Sequence, residues 1–150
     1  MFIALLIVFI LFVLFIILYY AKIKKVKNVG NIKYCYNSLL SFILIMVNKI
    51  SKSDFIAITN PITNRIHLIN KNYYDNITEE DFLYKHELVH VYQSEILGKI
   101  KFLFLYFIYS IKYGYYNNPF EKQAREHETR NCIIKDNIKE EINNNFNLYE

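Results

Sequence analysis

The sequence predicts an α+β fold: an N-terminal transmembrane helix, then a small domain with a short antiparallel sheet, a histidine-bearing helix and a second helix that supplies a carboxylate. Three observations predict it. Residues 1–18 (MFIALLIVFILFVLFIIL) contain no polar side chain. Residues 55–59 (FIAIT) and 65–69 (RIHLI) are rich in β-branched residues and flank the turn-forming stretch NPITN, a hairpin pattern. Residues 82–97 repeat apolar positions at three- and four-residue steps, the period of a helix.

The first run is long enough for a membrane span, because about 20 helical residues cover a hydrocarbon core of roughly 30 Å. Tyr19 and Tyr20 sit where an interfacial aromatic belt would lie, and Lys22, Lys24, Lys25 and Lys27 follow. A cleaved signal peptide carries its positive charge before the apolar run, and here the order is reversed. Residues 1–20 therefore read as an uncleaved anchor in a lipid bilayer. The positive-inside rule makes the chain a single-pass membrane protein with its body in the cytoplasm. Residues 21–53 read as a basic juxtamembrane segment and an apolar helix, 54–132 as the folded domain, and 133–150 as an amphipathic helix or tail. Two shorter apolar runs, 39–47 (LLSFILIMV) and 102–111 (FLFLYFIYSI), cannot cross a bilayer as helices. Both read as core. The second is the better placed for lipid contact, because Tyr113, Tyr115 and Tyr116 follow it.

Charge placement excludes one class of partner. The net charge is +4, five of the 18 cations lie between Lys22 and Lys33, and every acid lies at Asp54 or later. The remaining body is close to neutral and carries no basic stripe, so no nucleic acid is expected to bind. Cys35 and Cys132 are too few for a disulfide framework.

Thr78 is the expected N-cap of the next helix, with Asp81 closing a capping box. Phe82, His86, Val89, Gln93 and Leu97 mark its inward face, and Gly98 ends it. This face carries two imidazoles and an amide, which need partners if buried. Within KHELVHVYQ, His86-Glu87-x-x-His90 places two imidazoles one above the other, within reach of one ion. Glu87 is displaced around the helix, positioned as general base for a water acidified by zinc. With 4 histidines in the chain, composition alone yields this motif with a probability of about 0.7%.

A third ligand is still needed, since catalytic zinc usually has three protein ligands. A histidine six residues after His90 would complete one known pattern, but Ile96 is there. Asn118 and Pro119 open a further helix with Glu121 in its first turn. Glu121 is the favoured ligand, although it could equally close a capping box with Asn118. Glu126, His127 and above all Glu128 are its rivals.

The segments HELVHVYQ and NPFEKQA resemble the gluzincin branch of the zincin metallopeptidases, especially compact minigluzincin-like domains, over residues 55–128. The resemblance implies a zincin-like domain that holds Zn²⁺ through His86, His90 and Glu121 and hydrolyses peptide bonds of a peptide or protein substrate, with Glu87 catalytic. It also implies that the strand at 65–69 forms an edge along which an extended peptide lies. One position departs. Some gluzincins carry an acid four residues after the ligand glutamate, and here that residue is Arg125. This leaves Gln93 or Glu128 to orient the histidines. A site inside the bilayer is excluded by Glu79, Glu80, Asp81, Lys85 and Glu95 on or beside the helix. The competing class is a membrane-anchored interaction or structural protein with a vestigial site.

Overall fold

The computed structural model describes residues 13–21, 24–51, 54–130 and 133–146. The chain forms two compact units. The first holds the described parts of Met1–Asn28, Lys33–Ile58 and Ile66–Asn76, and the second those of Val29–Ile32, Thr59–Arg65 and Ile77–Glu150.

A four-stranded sheet runs in the order β1-β2-β4-β3, with β1 at Lys25–Val29, β2 at Ile32–Tyr36, β3 at Ala57–Asn60 and β4 at Arg65–Leu68. The β3–β4 hairpin lies where the alternating segments predict it. The β1–β2 hairpin replaces most of the expected basic juxtamembrane segment. Its turn is Gly30-Asn31, and Gly30 has φ of 52°, a left-handed conformation that glycine adopts without penalty. Lys25, Lys27 and Lys33 are strand residues, and Lys27 Nζ donates to the carbonyls of Tyr74 and Asp75. The topology also corrects the expected substrate edge. β4 is interior, between β2 and β3, so the edge strand of this hairpin is β3.

In the first unit, residues 13–21 are helical (α1), and helix α2 (Leu39–Ser51) is capped by Ser38, whose Oγ accepts from the Ser41 amide at 3.1 Å. His67 Nδ1 lies 2.6 Å from that same Ser38 Oγ, so this histidine belongs to the cap and not to the HExxH site. The α2 run was expected to be core, yet Phe42, Ile43, Ile45, Met46 and Val47 are exposed and Leu44 is buried. A short helix, α3 (Lys71–Asn76), buries Tyr74.

The second unit is built from four helices: α4 (Phe82–Leu97), α5 (Lys99–Tyr113), α6 (Pro119–His127) and α7 (Lys135–Phe146). Helix α4 touches the other three. This is why it buries Tyr84, Leu88 and Val91 as well as the single face the spacing predicts, whereas Phe82 is exposed. Val89 meets Ala124, Ile138 and Ile142 in a fully buried cluster. The four-residue spacing of isoleucines thus places α7 against α4 and α6. The helix starts later than expected. Thr78 does not cap it; its amide and hydroxyl both donate to Asp81, and that three-residue turn precedes the first helical residue.

The single-pass reading is corrected. Among the described residues no helix is long and apolar enough to cross a membrane. The longest, α4, has 16 residues and charged side chains, below the roughly 20 apolar residues a span requires. Of the expected anchor, residues 1–12 lie outside the described residues, and 13–20 are helical. The cytoplasmic placement was deduced from that anchor and is withdrawn with it.

Candidate metal centre

Helix α4 presents His86 and His90 one turn apart, and their Nε2 atoms lie 3.1 Å from each other. Helix α6 brings Glu121 to both. Its Oε1 is 3.2 Å from His90 Nε2 and its Oε2 is 3.4 Å from His86 Nε2. Asn118 and Pro119 start α6 as the sequence predicts, and the Asn118 side chain accepts from the Phe120 amide at 3.0 Å. The alternative role of Glu121, closing a capping box, is not taken up: the Asn118 amide donates to the Tyr115 carbonyl instead.

The opposite ring nitrogens fix the tautomers. His86 Nδ1 lies 2.7 Å from Glu128 Oε1, an acceptor, so the nitrogen carries the proton. His90 Nδ1 lies 2.7 Å from Gln93 Oε1. The orientation of that amide is set by its other end, which donates to the Phe120 carbonyl at 3.0 Å and to Gln123 Oε1 at 2.9 Å. Gln123 is oriented in turn by its donation to Glu141 Oε2 at 2.9 Å. A chain of single-sense hydrogen bonds therefore runs from a carboxylate on α7 to the imidazole of His90.

When neutral, both rings therefore aim Nε2 lone pairs at one point. Glu121 adds a third, since its Oε2 is buried without a hydrogen bond, while Oε1 accepts from the Tyr106 hydroxyl at 2.6 Å. Three converging lone pairs repel one another unless a cation lies between them. The fit to a metal ion is good. Bonds of ~2.0–2.1 Å at tetrahedral angles hold donor atoms about 3.3 Å apart; the two Nε2 atoms are 3.1 Å apart and Glu121 Oε2 is 3.4 Å from that of His86, while the 3.2 Å approach to His90 is made by Oε1. Among the described residues, this is the group of histidines and acids with metal-binding geometry.

The electrostatics agree. Burial pushes His86 down, but Glu121, Glu87 and Glu128 outweigh it and raise the imidazole to about 9. A proton takes the cationic role there when nothing else does. Burial pushes Glu121 up, yet His86, His90 and Tyr106 hold its carboxyl well below the usual range. The Tyr106 hydroxyl is pushed far up by burial and by the Glu121 charge, so it stays a donor.

Around this centre each expected residue has a definite place. Glu87 is buried one position along α4 and accepts a short hydrogen bond from the Thr59 hydroxyl of β3. Glu128 reaches the outer nitrogen of His86 and not the converging point, so it holds the orientation of that ring. Arg125 stands 3.7 Å from Glu121 Oε2 and rests on the Tyr116 ring. His127 points elsewhere, 2.8 Å from Glu141. Tyr106, Tyr115 (which also hydrogen-bonds Glu121) and Thr59 were not anticipated. With 14 tyrosines in the chain, nothing in the local sequence singles out two of them. No protein-family model, no curated protein and no solved structure matches this chain.

Proposed function

We propose that the chain is a zinc-dependent metallopeptidase of the gluzincin type. The observation that carries this reading is the convergence of His86 Nε2, His90 Nε2 and the Glu121 carboxylate at separations of 3.1 to 3.4 Å, with the outer imidazole nitrogens already oriented. A two-histidine, one-carboxylate set suits catalytic zinc, which takes three protein ligands and leaves its fourth position to water. A divalent ion held there supplies Lewis acidity, which acidifies water and polarises a carbonyl. His86, His90 and Glu121 provide the ligands, while Glu128 and Gln93 fix the ring orientations. Glu87 takes a proton from the attacking water and returns it to the departing amine, with Thr59 holding the carboxylate in place.

A second reading, a metal site without turnover, is favoured by one observation: Glu87 is only 5% exposed and already engaged by Thr59. Purified protein assayed for bound zinc and for cleavage of a peptide library separates the two. Glu87→Gln is expected to keep the metal and to lower hydrolysis by about 10²–10⁴-fold, whereas His86→Ala loses both. Unchanged hydrolysis by Glu87→Gln would overturn the mechanism. Tightly bound zinc with no hydrolysis by the unaltered chain would favour the second reading.

A further inference from the structure

Helix α5 has two faces of the same chemistry and opposite exposure. Phe102 is buried, with its ring 5.1 Å from that of Phe120, and Tyr106 stacks on Phe120 while reaching Glu121. The opposite face carries Ile100, Leu103, Phe104, Phe107, Ile108 and Ile111. All six are exposed, four of them by more than 60%. At about 100° per residue these six fall within roughly 140° of arc, an unbroken apolar stripe over three turns. Six large apolar side chains left in water on one helix face exceed the scattered exposure of ordinary surfaces.

The charges beside the stripe indicate what covers it. Helix α5 contains Lys99, Lys101 and Lys112 and no acid. On the helix wheel Lys101 and Lys112 border one side of the stripe and Lys99 the other. Tyr116 is exposed just past its C-terminal end. Apolar residues in the middle, lysines along both margins and a tyrosine at one end match a helix lying in the interface of a bilayer. There the stems of lysines follow the acyl boundary while their ammonium groups meet lipid phosphates. With 15 residues α5 is too short to cross. We propose that α5 lies in the plane of an anionic lipid surface, with its outer stripe in the acyl boundary and its inner face toward the Glu121 carboxylate. The candidate metal centre would then lie behind α5, about one helix diameter (~10 Å) from the lipid.

The chain contains no tryptophan, so a single substitution gives a local reporter in the full-length protein. Phe107→Trp is reconstituted with vesicles of phosphatidylglycerol and phosphatidylcholine whose acyl chains carry bromine, and Phe82→Trp, at an exposed site on α4, serves as control. The expected result is emission from Trp at 107 that shifts to shorter wavelength and is quenched by the brominated lipid, with neither change at 82. Lys101→Gln and Lys112→Gln are each expected to weaken this insertion about fivefold. Unshifted, unquenched emission at 107 would overturn the proposal. So would a blue shift without quenching, because the stripe would then be covered by protein, including a second copy of this chain. Equal insertion into pure phosphatidylcholine would overturn its anionic part.

Discussion

Helix α4 keeps Glu87, His90, Gln93 and Ser94 away from water, whereas the next helix, α5, shows Ile100, Phe104, Phe107 and Ile111 to it. Both depart from the rule that apolar groups go inside, and the difference lies in compensation. Each of these four polar groups on α4 has a partner within the unit: Thr59 for Glu87, Gln93 for His90, the Phe120 carbonyl for Gln93 and the Val91 carbonyl for Ser94. The outward residues of α5 stay exposed among the described residues. Polar burial in α4 is thus explained by chemistry the chain contains, and apolar exposure in α5 by a partner it meets. Chemistry at the site costs stability that the surrounding aromatic layer has to return.

The largest effect should come from that aromatic layer. Phe102 is 4% exposed and packs beside His90, Tyr106 and Phe120. Phe102→Ala is expected to cost about 3–5 kcal/mol, the usual range for a buried aromatic, read from urea unfolding followed by circular dichroism. A loss below about 1 kcal/mol would mean that α5 does not pack on the site, and the contrast between its faces would disappear.

The next effect tests whether the polar interior is compensated as described. Glu128→Gln and Gln93→Ala remove the outer partners of His86 and His90 without touching the converging atoms. Each is expected to weaken zinc binding about 10–100-fold, measured by competition with a chelating dye, with the helical content unchanged. If both variants bind zinc as tightly as the unaltered protein, the tautomers are fixed by something else.

What could be read from the sequence follows the same division. His86, Glu87 and His90 were legible because a helix imposes their mutual geometry locally. Glu121 was legible through the Asn118-Pro119 start of α6, which sets a side chain in the first turn. Tyr106 and Thr59 were not, because they arrive from elements whose position depends on long-range packing. Glu128 was weighed as a ligand but proved to serve the far nitrogen, a distinction of two helical turns that spacing alone does not resolve. In the fold, the FIAIT and RIHLI segments announced their hairpin. The β1–β2 pair was hidden by lysines on short strands, although Gly30-Asn31 is a hairpin turn signal. The apolar run of α5 was read as core because composition does not say which side of a helix faces water. The same limit misplaced 39–47, where α2 leaves five large apolar residues exposed.

Under the proposed function, proton and metal compete for His86. His86 is raised from 6.5 to about 9. In the metal-free protein its protonated form stabilises the fold fully below about 6.5, and that contribution is lost as pH rises through 9. Metal binding needs the neutral ring, so the opposite sign applies: affinity should strengthen by about tenfold per pH unit between roughly 6.5 and 9 and level off above. Thermal melts with and without zinc across this range test both slopes. Parallel slopes would show that proton and metal do not compete for His86.

The smallest effect is also the sharpest test of the α5 contrast. Phe104 is 62% exposed and two positions from Phe102. Because it already meets water in the folded chain, Phe104→Ser removes little buried area, and the expected change in unfolding free energy in detergent-free buffer is within about 0.5 kcal/mol. The same aromatic-to-small change therefore separates by several kcal/mol across one helix. If Phe104→Ser instead destabilised the protein as Phe102→Ala does, the outer stripe would be packed against the chain itself, and no external surface would be needed to account for it.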